Sequence, residues 1–500
     1  MNAQDRMDCD VIVIGAGLAG LTAANRAAEL GLSVMLLERQ SEARHVCASR
    51  TNGGVFHVGF RSVHAAPETL YEAVRSANEG FGPEPVARAL ADEALRGIDW
   101  LKGQGTEFTR LEPDHGWKDE VLAPVGFHDK TEMAWQGLGA DRLIARLEKR
   151  LVEQGGRSMR GVRARSLVEE DGRIVGVRAE VDGQPRTFHA DAVVLADGGF
   201  EGNADMVRQY ITAYPEHLLL RGCESGLGDG IRMAEAVGAR LLGMSSFYGH
   251  ILSADSLHRE GLSPFPFLEF LASAGMLVDR QGDRFVDETM GGHYTSNALA
   301  RQGDGLGVVL FDHAMWEGIG RHFFCPPNPN LVNAGGTLHR ADSIEDVARL
   351  AGLPPARVRQ QMEQLNQETR LKEAAAGSEE AERRRAMTAY AKGKHPHEPF
   401  EQAPFYAAPV CAALTSTLGG VEIDAAGRVI DVRGVPIAGL YAAGSCTGGV
   451  EGGPAVGYIG GLIKALVFGL AAAEHIAREN LIARENQHIA RENLIARENR

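Results

Sequence analysis

Cysteines, basic blocks and long apolar runs are all scarce in this chain, and each scarcity excludes something. The six cysteines (Cys9, Cys47, Cys223, Cys325, Cys411, Cys446) lie far apart, with no CxxC or CxxCH pair. That spacing argues against structural zinc, attached haem and iron–sulfur clusters. It suits reduced thiols in a cytoplasmic protein. The net charge is −14 and no basic block occurs, which argues against nucleic acid and anionic membrane surfaces as partners. No apolar run reaches 18 residues, so no membrane span is expected. The opening MNAQDRMDCD has no apolar stretch, so no signal peptide is expected there.

Glycine, by contrast, is abundant. Sixty-one glycines in 500 residues exceed the usual ~7% and point to tight turns and close backbone approaches to a large ligand. The length is too great for one core, so two or three domains are expected. The first informative stretch is DVIVIGAGLAG, residues 10–20. Val11–Ile14 reads as a buried parallel strand, and Gly15, Gly17 and Gly20 form GxGxxG. Leu21–Leu30 reads as a helix stopped by Gly31, and Ser33–Leu37 as a second strand ending at Glu38. Glu38 stands 18 residues after the last glycine, where a ribose hydroxyl is expected. The glycines let the backbone approach a pyrophosphate, and the helix N-terminus offers N–H groups and a positive dipole end. The expected fold class is therefore α/β and Rossmann-like.

Two later segments favour FAD over NAD. Ala192–Phe200 and Gly439–Gly444 each read as a strand ending in a glycine turn. A sheet closed by strands from so late in the chain suits a long, extended dinucleotide.

Together these pieces resemble the fumarate reductase and succinate dehydrogenase flavoprotein family. The likeness is nearer its tricarballylate dehydrogenase and 3-ketosteroid dehydrogenase branches than true fumarate reductase. The matching motifs are VIVIGAGLAGLTAA at 11–24, NGG at 52–54, AVVLADGGF at 192–200, GLGDGIRMAEAVGARL at 226–241, GDRFVDE at 282–288, PFYA at 404–407, GGVEID at 419–424 and GLYAAGSCTGGVEGG at 439–453. The resemblance implies an FAD-binding domain from 1–235 and 345–475, with an inserted α+β capping domain at 236–344 and a repetitive tail at 476–500. It implies FAD contacts from Gly15, Ala16, Gly17, Gly20, Glu38 and Arg39, from Ser49, Asn52, Gly53 and Gly54, and from Asp197, Gly198, Asp229, Gly444, Ala455 and Ile459. Cys47 stands where covalently flavinylated members carry a histidine, so non-covalent FAD is expected. The helix from Leu462 would aim its N-terminus at the flavin pyrimidine and favour the reduced flavin with no lysine.

The pattern departs from fumarate reductases at the substrate. Where they carry an arginine after the residue matching Glu288, this chain has Thr289, Met290, Gly291, Gly292 and His293. Ser416 and Thr417 replace a histidine, and Val456–Tyr458 replace a second arginine. Arginine is the natural bidentate partner of a carboxylate, so a C4-dicarboxylate substrate is not expected unless another arginine, such as Arg50, takes over. His250, six residues after Met244, matches the family's substrate-binding histidine. Tyr294 matches a ketosteroid dehydrogenase tyrosine, with His293 as the alternative proton carrier and Tyr458 as a third candidate. The implied reaction is dehydrogenation or reduction of a C–C bond adjacent to a carbonyl, a ketone being favoured over a dicarboxylate. Two alternatives stand beside it: a tricarballylate-like polycarboxylate dehydrogenase, and an electron-transferring subunit with no substrate of its own. The expected partners are a small-molecule substrate and an electron acceptor that no motif identifies.

Residues 342–370 and 374–391 read as surface helices. His395 and His397 lack ligand spacing, so no metal is expected. HIARENLIARENQ and HIARENLIARENR (475–500) repeat one 13-residue unit. Each step turns the helix by ~140°, which gives no single apolar stripe. A helical extension with a frayed end is expected.

Overall fold

The computed structural model describes residues 8–111, 117–125, 135–322, 325–375 and 396–498. Strand β1 (Asp8–Ile14), helix α1 (Leu18–Glu29) and strand β2 (Val34–Glu38) fall where the apolar runs and glycines place them. Val11–Val13 and Met35–Leu37 are almost wholly buried, as strands covered on both faces must be.

These strands are the middle of a larger parallel array. β1 pairs with β2 on one side and with Gln184–Leu195 on the other, and Val11 lies opposite both Val34 and Ala192. Pro436–Ala442 adds to Gln184–Leu195 in parallel, and Arg157–Arg160 adds to β2. Strands from the start, middle and end of the chain thus form one sheet, and their glycine-ended turns open on the same side. This is the α/β, Rossmann-like FAD-binding fold.

A second sheet is built around the long strand Phe405–Thr417. It pairs antiparallel with Phe247–Ser253, Leu306–Phe311 and His339–Ala341, and in parallel with Leu219–Leu220. The central strand of the expected cap therefore comes from residues placed above in the second FAD stretch. We propose the same partition with 405–417 added to the cap.

Toward the C-terminus, one helix runs from Gly461 to Glu498 through both repeats. The expected helical extension is present as far as Glu498, built from the strong helix formers Ala, Arg, Glu and Leu. Asn480 also donates to Asp10 at the sheet edge, at 3.2 Å. Ile344–Leu350 and Pro355–Ala375 are the surface helices expected there. Most of the 374–391 expectation lies outside the described residues. Among the described residues no helix is long and apolar enough to cross a membrane.

Candidate active site

A cavity of about 1120 Å³ runs from the β1–α1 loop to the second sheet. That exceeds the ~300–1,000 Å³ of a single-ligand pocket and leaves room for a dinucleotide and a substrate together. At the dinucleotide end, Gly15 has φ +101°, and a Cβ there would lie 2.5 Å from the Ala196 carbonyl oxygen. Gly17 has no side chain to cap α1, and Ser49 Oγ accepts the Leu18 N–H at 3.0 Å from the next loop; the positive end of the helix faces the cavity and favours an anion. Asp197 lines the cavity, accepts from the Gly230 N–H at 2.7 Å, and has a buried Oδ1 with no partner among the described residues. Burial pushes its carboxyl up to about 6. An orphaned acceptor beside a glycine cradle and a helix N-terminus fits FAD.

Most of the expected FAD residues line this end. Gly15, Ala16, Gly17, Glu38 and Arg39 do so around the first loop, and Ser49, Asn52, Gly53 and Gly54 from the next. Asp197, Gly198, Asp229 and Gly444 complete it from the neighbouring turns. Glu38 also braces the loop, accepting from the Ala16 N–H at 3.0 Å and the Gln40 N–H at 2.8 Å. The carboxylate of Asp229 is taken by arginine: Arg163 donates to it at 2.8 and 3.0 Å, and Arg232 at 2.5 Å. Its part is to fix the neighbouring strand and helix.

Three expected contacts fall off the cavity wall. Gly20 lies beneath the loop, where a Cβ would come within 1.9 Å of the Gly15 oxygen. The Ile459 backbone is tied to Glu451 and Gly59, and Ala455 sits on the same inward-folded glycine turn away from the lining.

The other end is aromatic and holds a chain of hydrogen bonds. Tyr248 and His250 lie on one face of Phe247–Ser253, two residues apart. A bulge at Tyr248/Gly249 sets their aim. His250 Nδ1 is 2.8 Å from Glu269 Oε1, and its Nε2 is 3.3 Å from the Tyr248 hydroxyl. The other Glu269 oxygen accepts the Ile251 N–H at 3.1 Å. Burial raises the Glu269 carboxyl to about 7, raises the Tyr248 phenol and holds His250 well below its ordinary value. His250 is therefore neutral and stacks on Phe267 at 3.9 Å between ring centroids.

The paired glycines before His293 have a physical reason. Gly291 has φ +97°, and a Cβ on Gly292 would lie 2.6 Å from the Glu269 carboxyl carbon. The turn must wrap this buried acid closely. His293 then opens helix Gly292–Arg301, and its Nδ1–H donates to the Gly249 carbonyl at 2.8 Å. Its ring lies 4.6 Å from that of Tyr248 and lines the cavity.

Several expectations are corrected here. Tyr294 is not in the cavity wall. It follows His293 on helix Gly292–Arg301 and so points ~100° away from it. Tyr458 does line the cavity, but its oxygen accepts the Gly461 N–H at 3.2 Å and its ring stacks on Tyr248 at 4.1 Å. Burial holds its phenol far above the ordinary range, so it supports Tyr248. Arg50 is buried against Asp141 and Glu148 rather than facing the cavity. The helix start expected to act with no lysine has Lys464 one turn in, buried and 2.6 Å from Glu451.

Folding also brings His397 beside Asp287 and Glu288, a grouping hidden in the sequence. Arg284 occupies it, 2.6 Å from Glu288 and 3.3 Å from His397, so a cation there would face a guanidinium. His395 lies outside the described residues.

Tyr248, Glu269 and Arg221 were missed. Tyr248 had a signal, being two residues before His250 on a strand. Glu269 is a lone acid in the apolar stretch FPFLEFLASAGMLV, and Arg221 a lone base in LLLRGC.

A family model described as FAD binding domain matches residues 10–457. NADH:acrylate oxidoreductase of Vibrio harveyi is 29% identical over 79% of this chain, which spans only 37% of that relative's length. Urocanate reductase of Eggerthella lenta is 26% identical over 94% of this chain and 75% of its own length. Vinyl phenol reductase of Lactiplantibacillus plantarum is 26% identical over 89% and 90%. Among solved structures, the 3-ketosteroid-Δ4-(5α)-dehydrogenase of Rhodococcus jostii RHA1 superposes with a TM-score of 0.68 at 22% identity, covering 95% of this chain and 98% of that one. The match over residues 10–457 spans most of the chain, which therefore belongs to the FAD binding domain family and is an FAD-dependent oxidoreductase.

Proposed function

We propose that the protein reduces a C=C bond activated by an adjacent carbonyl, with Tyr248 as the proton donor. The observation that carries this reading is the Glu269–His250–Tyr248 chain ending in the cavity. FAD, when bound in its reduced form, supplies the hydride for the neighbouring carbon. The chain's own residues handle the proton. With Glu269 protonated, its O–H donates to His250 Nδ1, and Nε2–H faces the Tyr248 oxygen. Tyr248 gives its proton to the substrate carbon, His250 Nε2–H replaces it, and Glu269 refills Nδ1. One proton moves, and the imidazole changes tautomer without ever becoming charged. Dehydrogenation runs the same chain backwards.

Burial favours delivery over abstraction. Tyr248 is raised, so it holds its proton until a carbanionic carbon needs it, and Glu269 stores one near neutral pH. Relatives named as reductases of fumarate, urocanate and vinyl phenol support the same direction. A cavity with its own proton chain also favours an enzyme over an electron-transferring subunit.

Tyr248→Phe is expected to lower turnover by about 10²–10⁴, the usual worth of a positioned acid, with FAD retained. Tyr294→Phe is expected to turn over like the parent. Steady-state rates of the two variants decide it, and the opposite ranking would overturn the assignment.

A further inference from the structure

The fumarate reductase arginine positions are empty of arginine here, yet the cavity has a guanidinium from elsewhere. Arg221 follows strand Leu219–Leu220, and its backbone N–H donates to the Leu414 carbonyl at 2.8 Å. The side chain crosses into the cavity wall beside Tyr248, His250 and Glu269. Its Nε–H donates to the Pro264 carbonyl at 3.2 Å and Nη1–H to Thr415 Oγ1 at 2.9 Å. The guanidinium carbon is 4.9 Å from the Phe267 ring centroid and 5.4 Å from that of Phe265.

These contacts fix the group without neutralising it. Among the described residues Arg221 has no carboxylate within ion-pair distance, and its Nη2 has no hydrogen-bond partner. An arginine stays protonated wherever it sits, and Glu269, whose field reaches it, is held protonated by burial up to about 7, so this is a pre-oriented cation with no ion-pair partner in a largely aromatic wall. Buried charges are normally paired. Of the other lining cations, Arg163 is held by Asp229, Arg39 donates to the Ser225 carbonyl, and Lys118 stands over Trp117. Arg39 and Arg163 stand at the dinucleotide end, so among the described residues Arg221 is the guanidinium beside Phe265, Phe267 and Tyr248, and it suits a ligand with one planar oxyanion and a flat apolar body.

We infer that Arg221 anchors a single substrate carboxylate, and that the substrate is a planar, unsaturated monocarboxylate. This rests on the reductase reading above and names its substrate class. Among the described residues a second carboxylate finds no second guanidinium at this end of the cavity, and a neutral ketone of the same shape leaves Arg221 without an ion pair.

The test uses FAD-loaded protein in its oxidised form. It is titrated with 3-phenylpropanoate, with the corresponding amide and with 4-phenyl-2-butanone, the flavin difference spectrum reporting binding. The acid is expected to bind more tightly than both neutral analogues. Arg221→Gln is expected to weaken the acid roughly 10–100-fold, as loss of a charge-assisted pair implies, while leaving the amide and ketone unchanged. Arg221→Lys should restore part of the loss. Equal weakening of all three ligands would assign Arg221 a structural part only and overturn the proposal. If Arg221→Gln does not hold FAD, the parent comparison decides: an acid binding no tighter than its amide also overturns it. Anion preference in a protein whose reduced flavin no unsaturated counterpart reoxidises would keep the anchor and refute the reductase reading instead.

Discussion

A buried carboxyl that titrates near neutrality sets the state of the proton chain. Glu269 lies at about 7 because burial penalises its charged form. Below that pH it is loaded and Tyr248 can be refilled; above it the chain accepts protons. Reduction is therefore expected to speed up as pH falls through about 7, and dehydrogenation to slow. Glu269→Gln keeps an acceptor for the His250 N–H but has no proton to give. Its pH profile should lose that limb, and a profile identical to the parent's would remove Glu269 from the chain. The stability sign follows from the same shift. The folded value of about 7 lies above the ordinary 4.5, so the Glu269 contribution is full below 4.5 and is lost as pH rises through 7. At this scale the sequence was half legible. His250 and His293 carried motif positions, and both line the cavity. Tyr294 carried a motif position too but does not line the cavity, because the helical phase there cannot be read without knowing that the helix starts at Gly292. Glu269 meets His250 only through the fold, 19 residues apart in the chain.

At the scale of elements, the β1–α1–β2 unit was readable almost residue by residue. Its signals are local: an apolar strand, glycines at fixed spacing and an acid at the end of the next strand. Gly15 is the position with least latitude. Its φ is +101°, and a Cβ there would stand 2.8 Å from the Asp197 Cα. Gly15→Ala is therefore expected to cost about 1–3 kcal/mol of backbone strain and to displace the turn from the cofactor. The ratio of flavin to protein absorbance after purification checks this; a fully flavin-loaded variant would contradict the cradle. The glycine turn at 451–460 was the illegible counterpart. Its motif suggested cofactor contact, but its backbone folds inward onto Glu451, which also holds Lys464. A glycine-rich motif shows that backbone approaches something closely, and here that something is protein.

At the scale of the molecule, the fold joins distant parts of the chain twice. Gln184–Leu195 and Pro436–Ala442 close the cofactor sheet, and Phe405–Thr417 is the spine of the sheet that carries Tyr248 and His250. The cofactor end and the proton chain therefore share one cavity built from both sheets. The class of reaction was readable from the ordered motifs. The cation was not, because Arg221 reaches the cavity from a two-residue strand with no pattern of its own. The most direct test of the whole reading is anaerobic. The FAD-loaded protein is photoreduced and mixed with a planar unsaturated monocarboxylate such as 3-phenylacrylate, with its methyl ketone and with fumarate, while flavin reoxidation is followed by absorbance. Rapid reoxidation by the monocarboxylate, slower by the ketone and slowest by fumarate is the expected result. Reoxidation by fumarate alone, or by none of the three, would contradict it.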